Sequence, residues 1–301
     1  MCARSQSALA DRILEAHPGL SPVKMQWDTF ESGNPNFVIR DHELIRRAHV
    51  IFIADATTPR HVIEQWAVLC ALQHYGAYSL TVFMPYFPGT LDRVDVPGRI
   101  VWGKTVARLF SEIPPLHGTG PARIVIYDIH AEQEVFFFTD QVANDFQSVL
   151  PYLLGQIRKT WTFTCIAFPD AGAKKRFADL EPGLHRIVCE KHRTGTERII
   201  HIVEGDPRGK HVLLIDDLVM SGGTLIESAK AMISAGALSV RAVVAHPVLP
   251  GTAIERFTPD GPIEHLYVSD SIPITSIDGS VIEVISLAPL IAQEIRDTFT
   301  Y

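Results

Sequence analysis

The chain has 301 residues, of which 47% are hydrophobic and 20% are charged, and its formal net charge is −7. This length suits two α/β domains of about 150 residues each, and the composition excludes an intrinsically disordered protein. A negative surface repels phosphate backbones, which argues against non-specific nucleic-acid binding, and no stretch approaches the ~18 consecutive apolar residues of a membrane span.

Strand and helix patterns alternate along the chain after a first amphipathic helix within residues 1–16. The predicted strands are residues 36–40, 49–54, 79–84, 123–128, 162–168, 185–190, 198–203, 211–216 and 239–245. The predicted helices are residues 61–75, 104–113, 145–158, 172–179, 223–235 and 287–298. Several strands are continuously apolar, which is typical of parallel strands covered by helices on both faces. The alternation itself indicates βαβ units.

This pattern runs twice, so we expect an N-terminal domain over residues 1–148 and a C-terminal domain over 149–301. No composition break separates them, and the boundary rests on the predicted helix 145–158. The last helix, 287–299, is a candidate for packing on the N-terminal domain. The fold class predicted is α/β, with two tandem doubly wound domains, each built on a mainly parallel central sheet.

Residues 212–224, VLLIDDLVMSGGT, combine a buried strand, two carboxylates, a glycine turn and the start of a helix. Backbone N–H groups can converge at such a turn, and the helix N-terminus favours an anion. We therefore predict a site for a phosphorylated ribose. The phosphate group would be bound by Ser221, Gly222, Gly223 and Thr224, and Asp216 and Asp217 would accept hydrogen bonds from ribose hydroxyls. The alternative is a capped strand-to-helix turn with a structural Asp pair.

The 212–224 segment resembles the phosphoribosyl-pyrophosphate-binding loop of type I phosphoribosyltransferases and ribose-phosphate diphosphokinases. Further segments resemble the diphosphokinases in the same order: MPYFP at 84–88, DIHAEQ at 128–133, FPDAGAKKR at 168–176 and AHPVLPGTAIER at 245–256. The likeness is closest to the class II, plant-type enzymes. It implies two domains of the type I phosphoribosyltransferase-like fold. It also implies Mg²⁺-dependent transfer of the β,γ-diphosphoryl group of ATP to the 1-hydroxyl of ribose 5-phosphate, giving phosphoribosyl pyrophosphate and AMP.

The same resemblance assigns roles to individual residues. His130 and Asp170 match positions near the metal, with Asp128 a weaker candidate and Asp140 a weaker one still, and Mg²⁺ is the cofactor implied. A structural histidine is the alternative for His130.

Lys191 and Arg193 match the catalytic residues of a mobile loop, placed here at 189–196, although a solvated hairpin tip has the same pattern. Phe30, Arg93 and His130 are the candidate ATP-binding residues, and a core phenylalanine is the alternative for Phe30.

Some positions depart from the family pattern. Ser32 replaces an acid in the segment after Phe30, GTLDR at 89–93 replaces the common ARQDR/K, and Met220 stands where class I enzymes carry Asp. The segment after Asp95 also lacks the R-x-P-I stretch. By resemblance to class II we expect activity without inorganic phosphate, weak inhibition by ADP and a looser choice of nucleotide donor.

Two other functions remain open on the sequence. One is a non-catalytic protein that associates with an active synthetase, and the less favoured one is a phosphoribosyltransferase. The expected partners are ATP, ribose 5-phosphate and further copies of the chain, for which Phe136–Phe138 would suit a subunit contact. The cysteines form no C-x-x-C pair, which fits reduced thiols and a cytoplasmic location.

Overall fold

The computed structural model describes residues 1–89, 97–116, 118, 120–194, 197–274 and 279–299, without the side chains of 192–199. The chain divides into two compact units. The N-terminal unit comprises Met1–Ser148 with Leu287–Tyr301, and the C-terminal unit is Val149–Ser286. Within the described part of the chain, no helix has both the length and the apolar character needed to cross a membrane.

The N-terminal unit contains a parallel four-stranded sheet and a separate antiparallel hairpin. Its elements are α1 (Ser7–Ala16), β1 (Met25–Thr29), β2 (Pro35–Ile39), β3 (His49–Ile53), α2 (Pro59–Ala71), β4 (Ser79–Met84), α3 (Trp102–Ser111), β5 (Arg123–Tyr127) and β6 (Ala143–Gln147). The sheet order is β3-β4-β5-β6, and β1 pairs with β2. Strand β6 corrects the predicted helix 145–158, because residues 143–147 extend beside β5 and the helix begins only at Leu150.

The C-terminal unit contains a seven-stranded sheet that is parallel except at one edge. Its elements are α4 (Leu150–Ile157), β7 (Cys165–Phe168), α5 (Ala171–Phe177), β8 (His185–Thr194), β9 (Glu197–Glu204), β10 (His211–Val219), α6 (Gly223–Ser234), β11 (Ser239–Pro247), β12 (Leu266–Ser269) and β13 (Ile282–Ile285). The sheet order is β13-β12-β11-β10-β7-β8-β9, with only the β8–β9 pair antiparallel.

The strand order of this sheet reverses between β7 and β10. From β10 the chain proceeds through β11 to β13 on one side, and from β7 it proceeds through β8 to β9 on the other. In open α/β sheets, ligands bind beyond the carboxyl ends of the strands at such a reversal. The carboxyl ends of β7 and β10 are therefore where a site is expected.

Buried apolar side chains hold β10 and α6 in the core of the C-terminal unit. Residues Val212–Ile215 are each 0% exposed, as a continuously apolar strand covered on both faces should be. In α6, Leu225, Ala229 and Met232 share one helical face and pack into the same apolar cluster as β10. Each large side chain buried in this way stabilises the fold by roughly 1.5–3 kcal/mol.

The last helix, α7 (Ala288–Phe299), belongs to the N-terminal unit. Glu294 accepts hydrogen bonds from Arg123 Nη2 at 2.8 Å, from Tyr127 Oη at 2.9 Å and from Gln147 Nε2 at 2.9 Å. Burial raises the pKa of Tyr127, and the neighbouring Glu294 charge raises it further, so the phenol stays neutral and donates. These bonds fix α7 to β5 and β6.

Candidate functional site

The turn between β10 and α6 has a backbone that only glycine tolerates at its centre. Gly222 lies immediately before α6 with φ of 73°, in the left-handed region. A Cβ atom on Gly222 would lie 2.5 Å from Cζ of Phe257, a buried side chain. Both the conformation and the close approach therefore require glycine here.

This turn presents an exposed hydroxyl group at the helix N-terminus. Ser221 is exposed, and its Oγ lies 3.5 Å from the Gly223 N–H that points toward it. Gly223 and Thr224 form the first turn of α6, where backbone N–H groups have no partner within the helix. This arrangement is a physical basis for binding an anion.

The structure adds an arginine to this turn that the sequence did not single out. Arg256 ends the short 3₁₀ segment Ala253–Arg256, and its Nη1 donates to the Ser221 carbonyl oxygen at 2.6 Å. The AHPVLPGTAIER segment was recognised, but nothing local to it indicated a contact with residue 221.

Asp216 and Asp217 lie within β10, which runs to Val219 rather than ending at 216. Asp217 is buried and forms an ion pair with Arg176, with Oδ2 2.6 Å from Nη1. Burial raises the pKa of Asp216 well above the ordinary aspartate value, and the charges of Asp217 and Asp170 raise it further. The Asp217 N–H donates to Asp216 Oδ1 at 3.0 Å, which lowers that pKa in part. Sequence reasoning assigned no role to Arg176.

Asp170 follows β7, the strand beside β10, and its side chain is exposed. Its Oδ1 accepts the Ala173 N–H at 2.9 Å and so caps α5. Its charge also reaches Asp216, as the raised pKa of that carboxyl shows. The structure thus brings Asp170, Asp216, Asp217 and the turn 221–224 together at the point where the strand order reverses.

Asp128 and His130 follow β5 in the N-terminal unit. Asp128 is buried and adopts a left-handed backbone with φ of 41°, which aspartate tolerates better than most residues. Its Oδ1 accepts the Ser148 hydroxyl at 2.6 Å. His130 is half-buried, and Asp140 lies exposed farther along the same unit. Among the described residues, no cluster of three or more His, Cys, Asp or Glu could hold a metal ion.

The other residues singled out in the sequence differ in their exposure to solvent. Phe30 lies at the turn between β1 and β2 and is 54% exposed, so the core alternative for it is wrong. Arg93 lies outside the described residues. Phe136 is 81% exposed, whereas Phe138 is buried against Phe87 in the core.

Lys191 and Arg193 lie on β8, because that strand extends to Thr194. Lys191 pairs with Ile200 and Arg193 with Arg198 across the antiparallel β8–β9 hairpin. The prediction of a loop over residues 189–196 is therefore wrong for residues 189–194, which belong to β8. The side chain of Lys191 is exposed, which leaves its ammonium group accessible.

Comparisons with known proteins point to one family. Residues 166–268 match the phosphoribosyl transferase domain family. Ribose-phosphate pyrophosphokinase 3, chloroplastic, of Oryza sativa subsp. japonica is 39% identical over 300 residues, 96% of this chain and 73% of the relative. Ribose-phosphate pyrophosphokinase 3, mitochondrial, of Spinacia oleracea is 40% identical over 302 residues, 96% of this chain and 74% of the relative.

A solved structure agrees on the fold. The crystal structure of phosphoribosylpyrophosphate synthetase from Mycobacterium smegmatis matches with a TM-score of 0.80 at 24% identity, covering 99% of this chain and 97% of that one. The predicted fold class, two tandem α/β domains with mainly parallel sheets, is confirmed.

Proposed function

The chain belongs to the ribose-phosphate pyrophosphokinase family, and we propose that it transfers the β,γ-diphosphoryl group of ATP to the 1-hydroxyl of ribose 5-phosphate. The products are phosphoribosyl pyrophosphate and AMP. Phosphoryl-type transfer needs little covalent chemistry from a protein, which has mainly to position the reactants and neutralise charge. The residues of the two units are suited to that task.

The observation that carries the proposal is the turn after β10 in the C-terminal unit. The exposed Ser221 and the first N–H groups of α6 would bind the 5-phosphate. Asp217 is ion-paired with Arg176 and can accept a hydrogen bond from a ribose hydroxyl. Asp216, whose pKa is raised by burial and by two neighbouring carboxylates, would hold the other hydroxyl.

The donor set fits Mg²⁺. The charges of Asp170 and Asp217 raise the pKa of Asp216, and a cation would relieve that repulsion. Mg²⁺ prefers oxygen ligands and takes one or two from the protein, with water and phosphate oxygens completing its shell. Asp170 is our candidate ligand in the C-terminal unit, and Asp128 and His130 are the candidates in the N-terminal unit. The ion would neutralise charge on the ATP phosphates.

Lys191 and Arg193 are proposed to stabilise the charge that develops on the transferring group. The exposed side chain of Lys191 on β8 supports a role in contacting substrate. The exposed ring of Phe30 on the β1–β2 turn supports stacking on adenine. Arg93 and His130 remain the other proposed ATP-binding residues.

The reaction is tested with pure protein, Mg²⁺, ribose 5-phosphate and ATP labelled at the β-phosphate. We expect label in phosphoribosyl pyrophosphate and a matching amount of AMP. Label that stays in the nucleotide although ribose 5-phosphate binds would contradict the proposal and favour an associated regulatory protein. Consumption of phosphoribosyl pyrophosphate with a nucleobase would identify a phosphoribosyltransferase instead.

Three finer properties are proposed with this activity. Following the class II resemblance, turnover should proceed without inorganic phosphate, and the chain should form a homo-oligomer. The plant relatives are named as chloroplastic and mitochondrial enzymes, so the cytoplasmic location stays a prediction.

A further inference from the structure

The phosphate-binding turn carries no basic residue of its own. The segment 216–224, DDLVMSGGT, has two acids and no lysine or arginine. A phosphate monoester carries about −1.5 to −2 charges near pH 7, and here it would be bound close to Asp216 and Asp217. The N-terminus of α6 contributes only roughly half a positive charge. A cation from elsewhere in the chain would therefore strengthen binding of the phosphate.

Arg256 is placed to be that cation. Its side chain is exposed, and its Nη1 donates to the Ser221 carbonyl oxygen at 2.6 Å. A Cβ atom built on Gly223 would lie 3.7 Å from Nη1 and 4.0 Å from Nη2, so the guanidinium lies beside the first residue of α6. The next residue, Phe257, is buried beneath Gly222 and fixes the backbone that carries the arginine.

Two other basic residues of the C-terminal unit, both on α5, are already paired with acids. Arg176 is paired with Asp217 at 2.6 Å, and Lys174 is paired with Glu204. An arginine has five N–H donors in a planar fork that matches phosphate. In the part of the chain that the structure describes, Arg256 uses one of them on Ser221, which leaves donors for a bidentate contact.

We propose that Arg256 is a ribose 5-phosphate-binding residue that contacts the 5-phosphate while it donates a hydrogen bond to the Ser221 carbonyl oxygen beside it. The inference rests on the proposed function, because it assumes that the 221–224 turn binds this phosphate. It adds a residue 35 positions away from the turn in sequence.

The test compares Arg256→Ala and Arg256→Lys with Lys230→Ala. Lys230 is exposed on α6, the helix that begins at the turn, and is paired with Glu227 at 2.9 Å. Lys230→Ala changes the net charge by the same amount as Arg256→Ala. Ribose 5-phosphate and ATP are varied separately in rate assays, and ribose 5-phosphate binding is measured by calorimetry. We expect Arg256→Ala to raise the KM and Kd for ribose 5-phosphate about 10- to 100-fold, the range for a hydrogen bond to a charged group. The KM for ATP and kcat should change less than about 3-fold.

Arg256→Lys should recover part of the affinity, because it keeps the charge but not the fork, and Lys230→Ala should behave as wild type. An unchanged KM and Kd for ribose 5-phosphate in Arg256→Ala would overturn the inference, as would a fall in kcat alone. Should the alanine variant not fold, Arg256→Gln and Arg256→Lys carry the comparison, and equal affinities for the two would count against it. Calorimetry keeps the two proposals distinct. If the wild type binds ribose 5-phosphate but forms no product, the proposed reaction fails while the role of Arg256 is still decided.

Discussion

Replacing Gly222 with alanine strains the turn in two separable ways. The left-handed backbone, φ 73°, costs an alanine about 1 kcal/mol. The new methyl group would also lie 2.5 Å from Cζ and 2.8 Å from Cε2 of Phe257, whose ring is 3% exposed and has no room to turn away. Overpacking of this kind costs roughly 1–3 kcal/mol. We therefore expect Gly222→Ala to lower the free energy of unfolding by about 2–4 kcal/mol.

Two matched glycines separate these effects. Gly209 also has a left-handed backbone, φ 68°, but nothing lies within 4 Å of its Cβ position, so Gly209→Ala should lose only about 1 kcal/mol. Gly223→Ala meets no atom closer than 3.6 Å and has no positive φ, so its stability should change by less than about 0.5 kcal/mol. Urea unfolding of the three variants measures these differences.

Activity provides the second measurement. A displaced turn should reduce kcat/KM for ribose 5-phosphate on the order of 10²-fold in Gly222→Ala, whereas Gly209→Ala should keep it. The reasoning is refuted if Gly222→Ala unfolds no more easily than Gly209→Ala. It is also refuted if Gly222→Ala binds ribose 5-phosphate as the wild type does.

Three further substitutions and one control substitution test the proposed roles. Lys191→Ala should lower kcat on the order of 10²–10³-fold while calorimetry shows nearly unchanged ribose 5-phosphate binding, and equal losses in both would argue against its assignment. Arg176→Met removes the ion pair of the buried Asp217 carboxylate and should cost about 3 kcal/mol in urea unfolding. Arg158 belongs to a different, more exposed ion pair and provides the control: Arg158→Met should cost less than about 1 kcal/mol. Similar losses of stability in the two variants would contradict the reasoning. Asp216→Asn should stabilise the ligand-free protein at pH 7 and weaken ribose 5-phosphate binding. Because burial raises the folded-state pKa of Asp216, the unfolded chain releases its proton first, and stability falls as pH rises above about 3.9, the ordinary aspartate pKa. If the unfolding midpoint depends on pH in the same way in the wild type and in Asp216→Asn, the Asp216 carboxyl does not contribute to the pH dependence of stability.

Strands with a strong local pattern were predictable, and those defined by their partners were not. The apolar runs at 49–54 and 79–84 became His49–Ile53 and Ser79–Met84. By contrast, Ala143–Gln147 reads ANDFQ, with neither the alternation nor the β-branched residues of a typical strand. It is a strand because it pairs with Arg123–Tyr127, a contact that no local pattern shows.

The same distinction separates the site residues that were found from those that were missed. The turn 221–224 and the adjacent acids form one contiguous motif, so the sequence alone indicated a sugar-phosphate site. Arg176 contacts Asp217 across 41 residues, and Arg256 contacts Ser221 across 35. Each arginine lies in a segment that was recognised, but only the sheet order brings it to its partner.

The proposed ribose 5-phosphate site concentrates features that are unfavourable for stability in a unit that is otherwise well packed. Gly222 holds a left-handed turn, and Asp216 is half-buried beside two other carboxylates. Burial of the run Val212–Ile215 offsets the cost of the turn and of the carboxylate, because these residues hold the strand before the turn within the sheet. A ligand that brings a cation, ribose hydroxyls and a phosphate would satisfy these same groups. Substitutions that relieve the repulsion should therefore stabilise the protein while they weaken ribose 5-phosphate binding, a combination that residues with only a structural role would not produce.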